Sequence, residues 1–133
     1  MKVNEVMIPL GEFPIIKSKT ILKEALTEMV EANLGLVCII NDKDELIGLI
    51  TDGDLRRKLL NVQKPFSSFF IDDAIIHAKK NPITCSPQDD IKKIVNIMGD
   101  KKIWDLPVID ENNHLVGLLH LHPAIKKIIN ENY

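Results

Sequence analysis

Apolar residues recur along this chain in two rhythms that alternate. Leu22, Ala25, Leu26 and Met29 follow the i, i+3, i+4, i+7 spacing that places one apolar stripe on a helix. The rhythm then tightens into two short dense runs, LVCII at 36–40 and ELIGLI at 45–50, joined by NDKD. Such runs around an Asn/Asp-rich connection predict a β-hairpin. Leu55 and Leu59 then mark a second helix. The same order returns later: Ile91, Ile94, Val95 and Met98, then LPVID and HLVGLL around DENN, then Ile125, Ile128 and Ile129. A short extended piece opens each series, PIIK at 14–17 and PITC at 82–85. The predicted order is β-α-β-β-α, twice.

The two series are copies. Shifting the chain by 69 residues, Leu22 onto Ile91, lays 20–60 over 89–129 without a gap. Identities include Met29 with Met98, Ile40 with Ile109, Leu46 with Leu115 and Gly48 with Gly117. Related segments, VNEVMI at 3–8 and IDDAII at 71–76, stand before the two copies. A unit of about 60 residues has a marginal core alone, so the copies are expected to pack as a pseudo-twofold pair. The fold class expected is α+β, with repeats at 1–61 and 71–133 and a linker at 62–70. Three of the four phenylalanines fall at 66, 69 and 70. They plug the back of the pair or line an oligomer interface.

Composition narrows the function classes. The 133 residues carry a formal charge of -2 and a pI near 6.1, which weighs against a duplex nucleic-acid binder. No signal-peptide pattern and no membrane-length apolar run appears. Two cysteines, Cys38 and Cys85, need no disulfide, and a reduced cytoplasmic compartment is expected. There is no P-loop, no GxSxG and no complete calcium loop, so no catalytic residue and no required cofactor is assigned. Asp89 and Asp90 open a helix, where negative charge suits the macrodipole.

The chemistry concentrates in TDGDLRR, Thr51 to Arg57, which holds the only two arginines in the chain. With the preceding GLI it forms Gly48-Leu49-Ile50-Thr51-Asp52-Gly53-Asp54. This motif and the duplication resemble a tandem pair of CBS domains, the regulatory module named after cystathionine β-synthase. TDGDLRR after LGLVCIINDKDELIGLI, and LVGLLHLH after LPVID, look most like the CBS pair of arabinose 5-phosphate isomerases. Those enzymes serve the pathway of Kdo, an acidic sugar of bacterial lipopolysaccharide and capsules. There the pair follows a sugar-isomerase domain, which these 133 residues do not contain. TDGD with basic residues also occurs in CBS pairs fused to sugar nucleotidyltransferases.

The resemblance implies a nucleotide between the two halves, with Thr51 on phosphate and Asp54 on ribose hydroxyls. The physical chemistry agrees. A carboxylate accepts two hydrogen bonds from a cis-diol, and a hydroxyl at a helix start lies beside unpaired N–H groups. Gly53 permits close backbone approach. Arg57 contacts ligand, or else pairs with Asp54 on the helix or with another subunit; Arg56 is equally open. Asp52 is read as the helix cap. The resemblance also brings Pro82, Ile83 and Thr84, and Ile103, Trp104, Asp105 and Leu106, toward the site. Trp104 stacks on a base or fills the rim.

The second copy departs from the motif: His120 stands at the place of Thr51 and Pro123 at that of Asp54. One competent site is therefore expected. His120 is read as a phosphate or carboxylate contact rather than as half of a metal pair with His122. The regulatory ligand expected is an adenine nucleotide or a CMP-sugar such as CMP-Kdo. The partners expected are a sugar-isomerase domain in cis or trans and a second copy of the chain. No nucleic acid or membrane partner is expected. A ligand-free dimerisation module is the alternative.

Overall fold

The computed structural model describes residues 1–61 and 63–132. Val62, where the linker was expected to start, and Tyr133 lie outside the described residues. In chain order the elements are β1 (Ile8–Pro9), β2 (Ile15–Lys17), α1 (Leu22–Ala32), β3 (Leu36–Ile40), β4 (Leu46–Thr51), α2 (Asp52–Asn61), α3 (Phe66–Phe70), α4 (Ile91–Lys101), β5 (Asp105–Ile109), β6 (Leu115–His120) and α5 (Leu121–Asn132). Short 3-10 turns cover Val3–Glu5 and Ala74–His77. The chain is thus α+β, with two three-stranded sheets among the described residues, ordered β2-β3-β4 and β1-β6-β5.

The β-α-β-β-α order holds in both copies, with one strand reduced. PITC forms no strand; Cys85 alone bridges to Val108. Each hairpin is antiparallel and carries one irregularity at the matching place, Ile39/Ile40 and Val108/Ile109. The turns work as their Asn/Asp content predicts. Asn41 Oδ1 accepts from the N–H groups of Lys43 and Glu45, at 2.9 and 3.0 Å. Asp110 Oδ1 accepts from Asn112 and His114, both at 2.9 Å. These side chains replace the backbone partners that a tight turn leaves free.

The helical stripes face the cores. Leu22, Ala25 and Met29 are buried in one copy, and Ile91, Ile94 and Met98 in the other. Asp90 caps α4 by accepting from the Lys93 N–H at 3.2 Å. The expected linker holds a helix of its own. Phe69 on α3 is buried among Ile16, Leu22, Ala25, Val37, Ile50 and Ala74, while Phe66 and Phe70 are exposed. Cys85 sits in the second core, where burial and the nearby Asp89 push its thiol up to about 12.

The chain divides into two compact units. One unit is Gly11–Pro82; the other joins Met1–Leu10 to Ile83–Tyr133. Each body therefore carries the segment that precedes the other copy. The two attachments match bond for bond. In one unit Leu22 N–H donates to Asp72 O and Ala74 N–H to Thr20 O, both at 2.8 Å. In the other, Ile91 N–H donates to Met1 O and Val3 N–H to Asp89 O, both at 3.0 Å.

This attachment explains the shared glycines. A Cβ on Gly48 would lie 2.8 Å from Ile75 Cδ1 and 3.1 Å from Ala78 Cβ. On Gly117 it would meet Met7 Sδ at 2.5 Å and Ile8 O at 3.1 Å. Both glycines let the carried segment lie against the hairpin. Gly48→Ala should lower unfolding free energy by about 1–3 kcal/mol through overpacking. Urea denaturation checks this, and an unchanged midpoint would refute the close contact.

Candidate functional site

The motif stretch closes β4 and opens α2. Thr51 Oγ1 accepts from the Asp54 N–H at 3.2 Å, and Asp54 Oδ2 accepts from the Thr51 N–H at 3.3 Å. This reciprocal pair satisfies two backbone donors at a helix start, as a capping box does. The expected cap was Asp52, and the structure corrects it. Thr51 caps, because its Oγ1 reaches the third helical residue. Asp52 instead lies over Gly35: its Oδ2 is 2.5 Å from where a Cβ on Gly35 would be. The Asp52 N–H donates to Gly35 O at 2.9 Å.

Arg57 Nη2 donates to Asp54 Oδ1 at 2.7 Å. The i, i+3 helix pair weighed in the sequence reading is therefore formed. Burial pushes the Asp54 carboxyl up, but the hydrogen bonds from Arg57 and Thr51 and the charge of Lys79 outweigh it. The net shift is downward from 3.8. Each carboxylate oxygen has one protein donor and keeps acceptor capacity. The Thr51 hydroxyl accepts one bond and keeps its own O–H to donate. Gly53 lies under the guanidinium, 3.3 Å from Arg57 Nη1 when a Cβ is placed on it.

The depressed carboxyl has a sign for stability. A group held below its free value stabilises the fold above that value, and the contribution is lost as pH falls through the folded one. Acid unfolding below about pH 3.8 should therefore include Asp54. Asp54→Asn should flatten that limb relative to wild type. An identical acid profile would remove Asp54 from it.

Beside Asp54 lies an open depression of about 430 Å³, lined by Asp54, Arg57, Lys58, Asn61, His77, Ala78 and Lys79. Sequence reasoning named only Asp54 and Arg57 of these. A signal for Lys58 and Asn61 was present. Asp54, Arg57, Lys58 and Asn61 stand at i, i+3, i+4 and i+7, a polar stripe on α2. His77 and Lys79 carried none, because the segment that brings them precedes the second copy. His77 Nε2 meets Asp72 Oδ2 at 2.8 Å, and Lys64 Nζ meets the same oxygen at 2.6 Å.

The other predicted residues lie in the second unit. Asp105 and His120 are cross-strand partners, and Asp105 Oδ1 lies 2.6 Å from His120 Nδ1. Burial raises the Asp105 carboxyl, and the bond to His120 opposes it. In the first copy the corresponding register pairs Leu36 with Thr51. The second copy has thus traded a Thr–Asp helix cap for a His–Asp pair across a hairpin. Trp104 is 71% exposed, and its carbonyl accepts from the Leu121 N–H at 2.9 Å. Leu106 turns its side chain into the core, which leaves its main chain for any ligand. Thr84 is half-buried beside the Cys85 bridge. Pro123 falls in the first turn of α5, where no backbone N–H is needed. No group of three or more metal-ligating side chains occurs among the described residues. None of their helices is long and apolar enough to cross a membrane.

Comparison with known proteins places these features. The chain is 30% identical over 126 residues to the arabinose 5-phosphate isomerase of Escherichia coli K12. The match covers 95% of this chain and 37% of that enzyme, so the chain spans little more than a third of the relative. Among solved structures, the CBS-pair protein CBSX2 of Arabidopsis thaliana, in complex with AMP, superposes with a TM-score of 0.86. It covers 99% of this chain and 98% of that one, at 21% identity. The CBS domain pair of MJ0100, in complex with 5'-methylthioadenosine and S-adenosyl-L-methionine, gives 0.78 at 18% identity, covering 100% of this chain and 98% of that one. The family profile of the CBS domain matches twice, at residues 3–61 and 72–122. With both copies matched, the chain belongs to the CBS domain family.

Proposed function

We propose that this chain is a regulatory module that binds an adenine nucleotide, with Thr51 and Asp54 as its grip. The observation that carries the reading is the state of Asp54. Its carboxyl is held ionised, and it keeps one acceptor position on each oxygen for a ribose diol. Thr51 has a hydroxyl proton to give to a phosphate oxygen, and Arg57, whose guanidinium lies over Gly53, has further N–H donors. The AMP and S-adenosyl-L-methionine complexes of the structural neighbours support adenine over cytosine. In the second unit, Trp104, Asp105, Leu106, His120 and Thr84 remain the proposed contributors. The Asp105–His120 pair there offers an imidazole, not a carboxylate, to an anionic group.

The module is proposed to serve a sugar-phosphate isomerase, in cis or in trans, without catalysing the reaction itself. The similarity to the Escherichia coli enzyme supports this. Calorimetric titration with AMP, ADP, ATP, S-adenosyl-L-methionine, CMP and CMP-Kdo tests the ligand. Saturable binding of an adenine compound is expected, and failure of all six would sink the reading. A second reading, a dimerisation module without ligand, has one observation in its favour. Helix α2 packs Leu55 against the first core and leaves Leu59 and Leu60 exposed. Light scattering that shows a dimer indifferent to every nucleotide would favour it.

A further inference from the structure

Arg57 reaches back over the turn that carries the grip. We propose that it is a positioning residue, which fixes the Asp54 carboxylate so that the module selects ribose over 2′-deoxyribose. This rests on the nucleotide reading above and names the ligand class within it, ribonucleosides and their nucleotides.

Geometry is the first ground. Asp54 and Gly53 stand three and four residues before Arg57, the positions over which a helical side chain lies. Arg57 Nη2 donates to Asp54 Oδ1 at 2.7 Å. The Thr51 N–H donates to the other oxygen, Oδ2, at 3.3 Å. The carboxylate is therefore held at both oxygens, and each keeps one acceptor position. Two positions match the two hydroxyls of a ribose, and 2′-deoxyribose fills only one. Without Arg57, the single 3.3 Å bond leaves the carboxylate to turn about its Cβ–Cγ bond. Gly53 makes the seat for the guanidinium: a Cβ there would meet Arg57 Nη1 at 3.3 Å and Nη2 at 3.4 Å.

The second copy supplies an independent ground. Shifted by 69 residues, Gly53, Asp54 and Arg57 fall on His122, Pro123 and Lys126. Where the carboxylate is gone, its seat and its guanidinium are gone as well, although the hairpin ahead of them keeps the same register. The lysine keeps the charge and lacks the planar fork, so surface charge alone does not account for the arginine. Other charged or titratable groups stand near Asp54. Lys79 acts on it through space, and Lys58 and His77 line the same depression. The ion pair to the carboxylate is made by Arg57. Burial pushes that carboxyl up, and the Arg57 bond is the largest influence that lowers it.

The test is calorimetric titration of adenosine, 2′-deoxyadenosine, AMP and 2′-deoxy-AMP, with circular dichroism to confirm folding. Wild type is compared with Arg57→Gln, Arg57→Lys and Arg56→Gln, the last an exposed control on the same helix. Wild type is expected to bind adenosine about tenfold tighter than 2′-deoxyadenosine, the worth of one charge-assisted hydrogen bond. Arg57→Gln should cut that ratio to about twofold. Arg57→Lys should recover part of it, and Arg56→Gln should leave it at the wild-type value. The acid limb of adenosine binding should move to higher pH in Arg57→Gln, because the carboxyl then takes up its proton at higher pH. Equal affinities for the two nucleosides in wild type would overturn the proposal, as would a ratio unchanged in Arg57→Gln. Lower AMP affinity at an unchanged nucleoside ratio would make Arg57 a phosphate contact and overturn it too. An NMR titration of the Asp54 carboxyl in ligand-free protein separates this failure from that of the nucleotide reading. Its midpoint should rise in Arg57→Gln, and an unmoved midpoint overturns the positioning role whatever binds. A midpoint that rises while none of the four ligands binds sinks the nucleotide reading, and the ribose selection falls with it.

Discussion

Phe69→Ala is expected to lower unfolding free energy by about 3–5 kcal/mol, the usual cost of deleting a buried aromatic ring. The ring is 2% exposed and fills the core of the Gly11–Pro82 unit from a segment that looks like a linker. It also backs the imidazole of His77 and lies 4.8 Å under Lys64 Nζ. Its loss therefore leaves a cavity and frees the support of one wall of the candidate site. Phe66→Ala is the control: that ring is 62% exposed, and its removal should change stability by less than about 0.5 kcal/mol. Urea unfolding of both variants decides the matter. Equal effects would mean that the segment is a tether and not part of the core.

Asp54→Asn is expected to weaken adenine-nucleotide binding by about 10–100-fold. The estimate follows from replacing charge-assisted hydrogen bonds to a ribose diol, each worth roughly 1.5–3 kcal/mol, by neutral ones. The amide has one acceptor oxygen, so it cannot serve Arg57, the Thr51 N–H and a diol together. The fold should survive with a loss of about 1 kcal/mol, typical of a weakened helix cap. Circular dichroism alongside calorimetry separates the two effects. Undiminished affinity in a folded Asp54→Asn variant would exclude Asp54 from the grip.

Much of the fold was legible in the sequence because its signals are periodic and local. The stripe from Leu22 to Met29 and its copy from Ile91 to Met98 had only one buried face to choose. Asn41 and Asp110 announced their turns through side chains that bond two and four residues ahead. The exchange of segments was not legible. Met1–Leu10 and 71–82 are short and aperiodic, and their partners are far away in sequence. The glycine pair, Gly48 and Gly117, was visible as an identity, but its reason is the close approach of those segments.

The same division runs through the candidate site. Thr51 and Asp54 were readable from a motif because their interaction spans one helical turn. Choosing Thr51 over Asp52 as the cap depends on where β4 ends, and an end position is the least certain product of pattern reading. The Asp105–His120 pair needed the hairpin register, which the repeat contained but the residue types alone did not suggest. His77 and Lys79 needed the exchanged segment, and no local signal foretells that.

The central claim is that the first copy keeps a working nucleotide grip at Thr51 and Asp54. A crystal structure of the chain grown with AMP tests it most directly. The account predicts ribose hydroxyls within hydrogen-bond distance of the Asp54 carboxylate and a phosphate oxygen at the Thr51 hydroxyl. An ordered AMP that touches neither residue would contradict it.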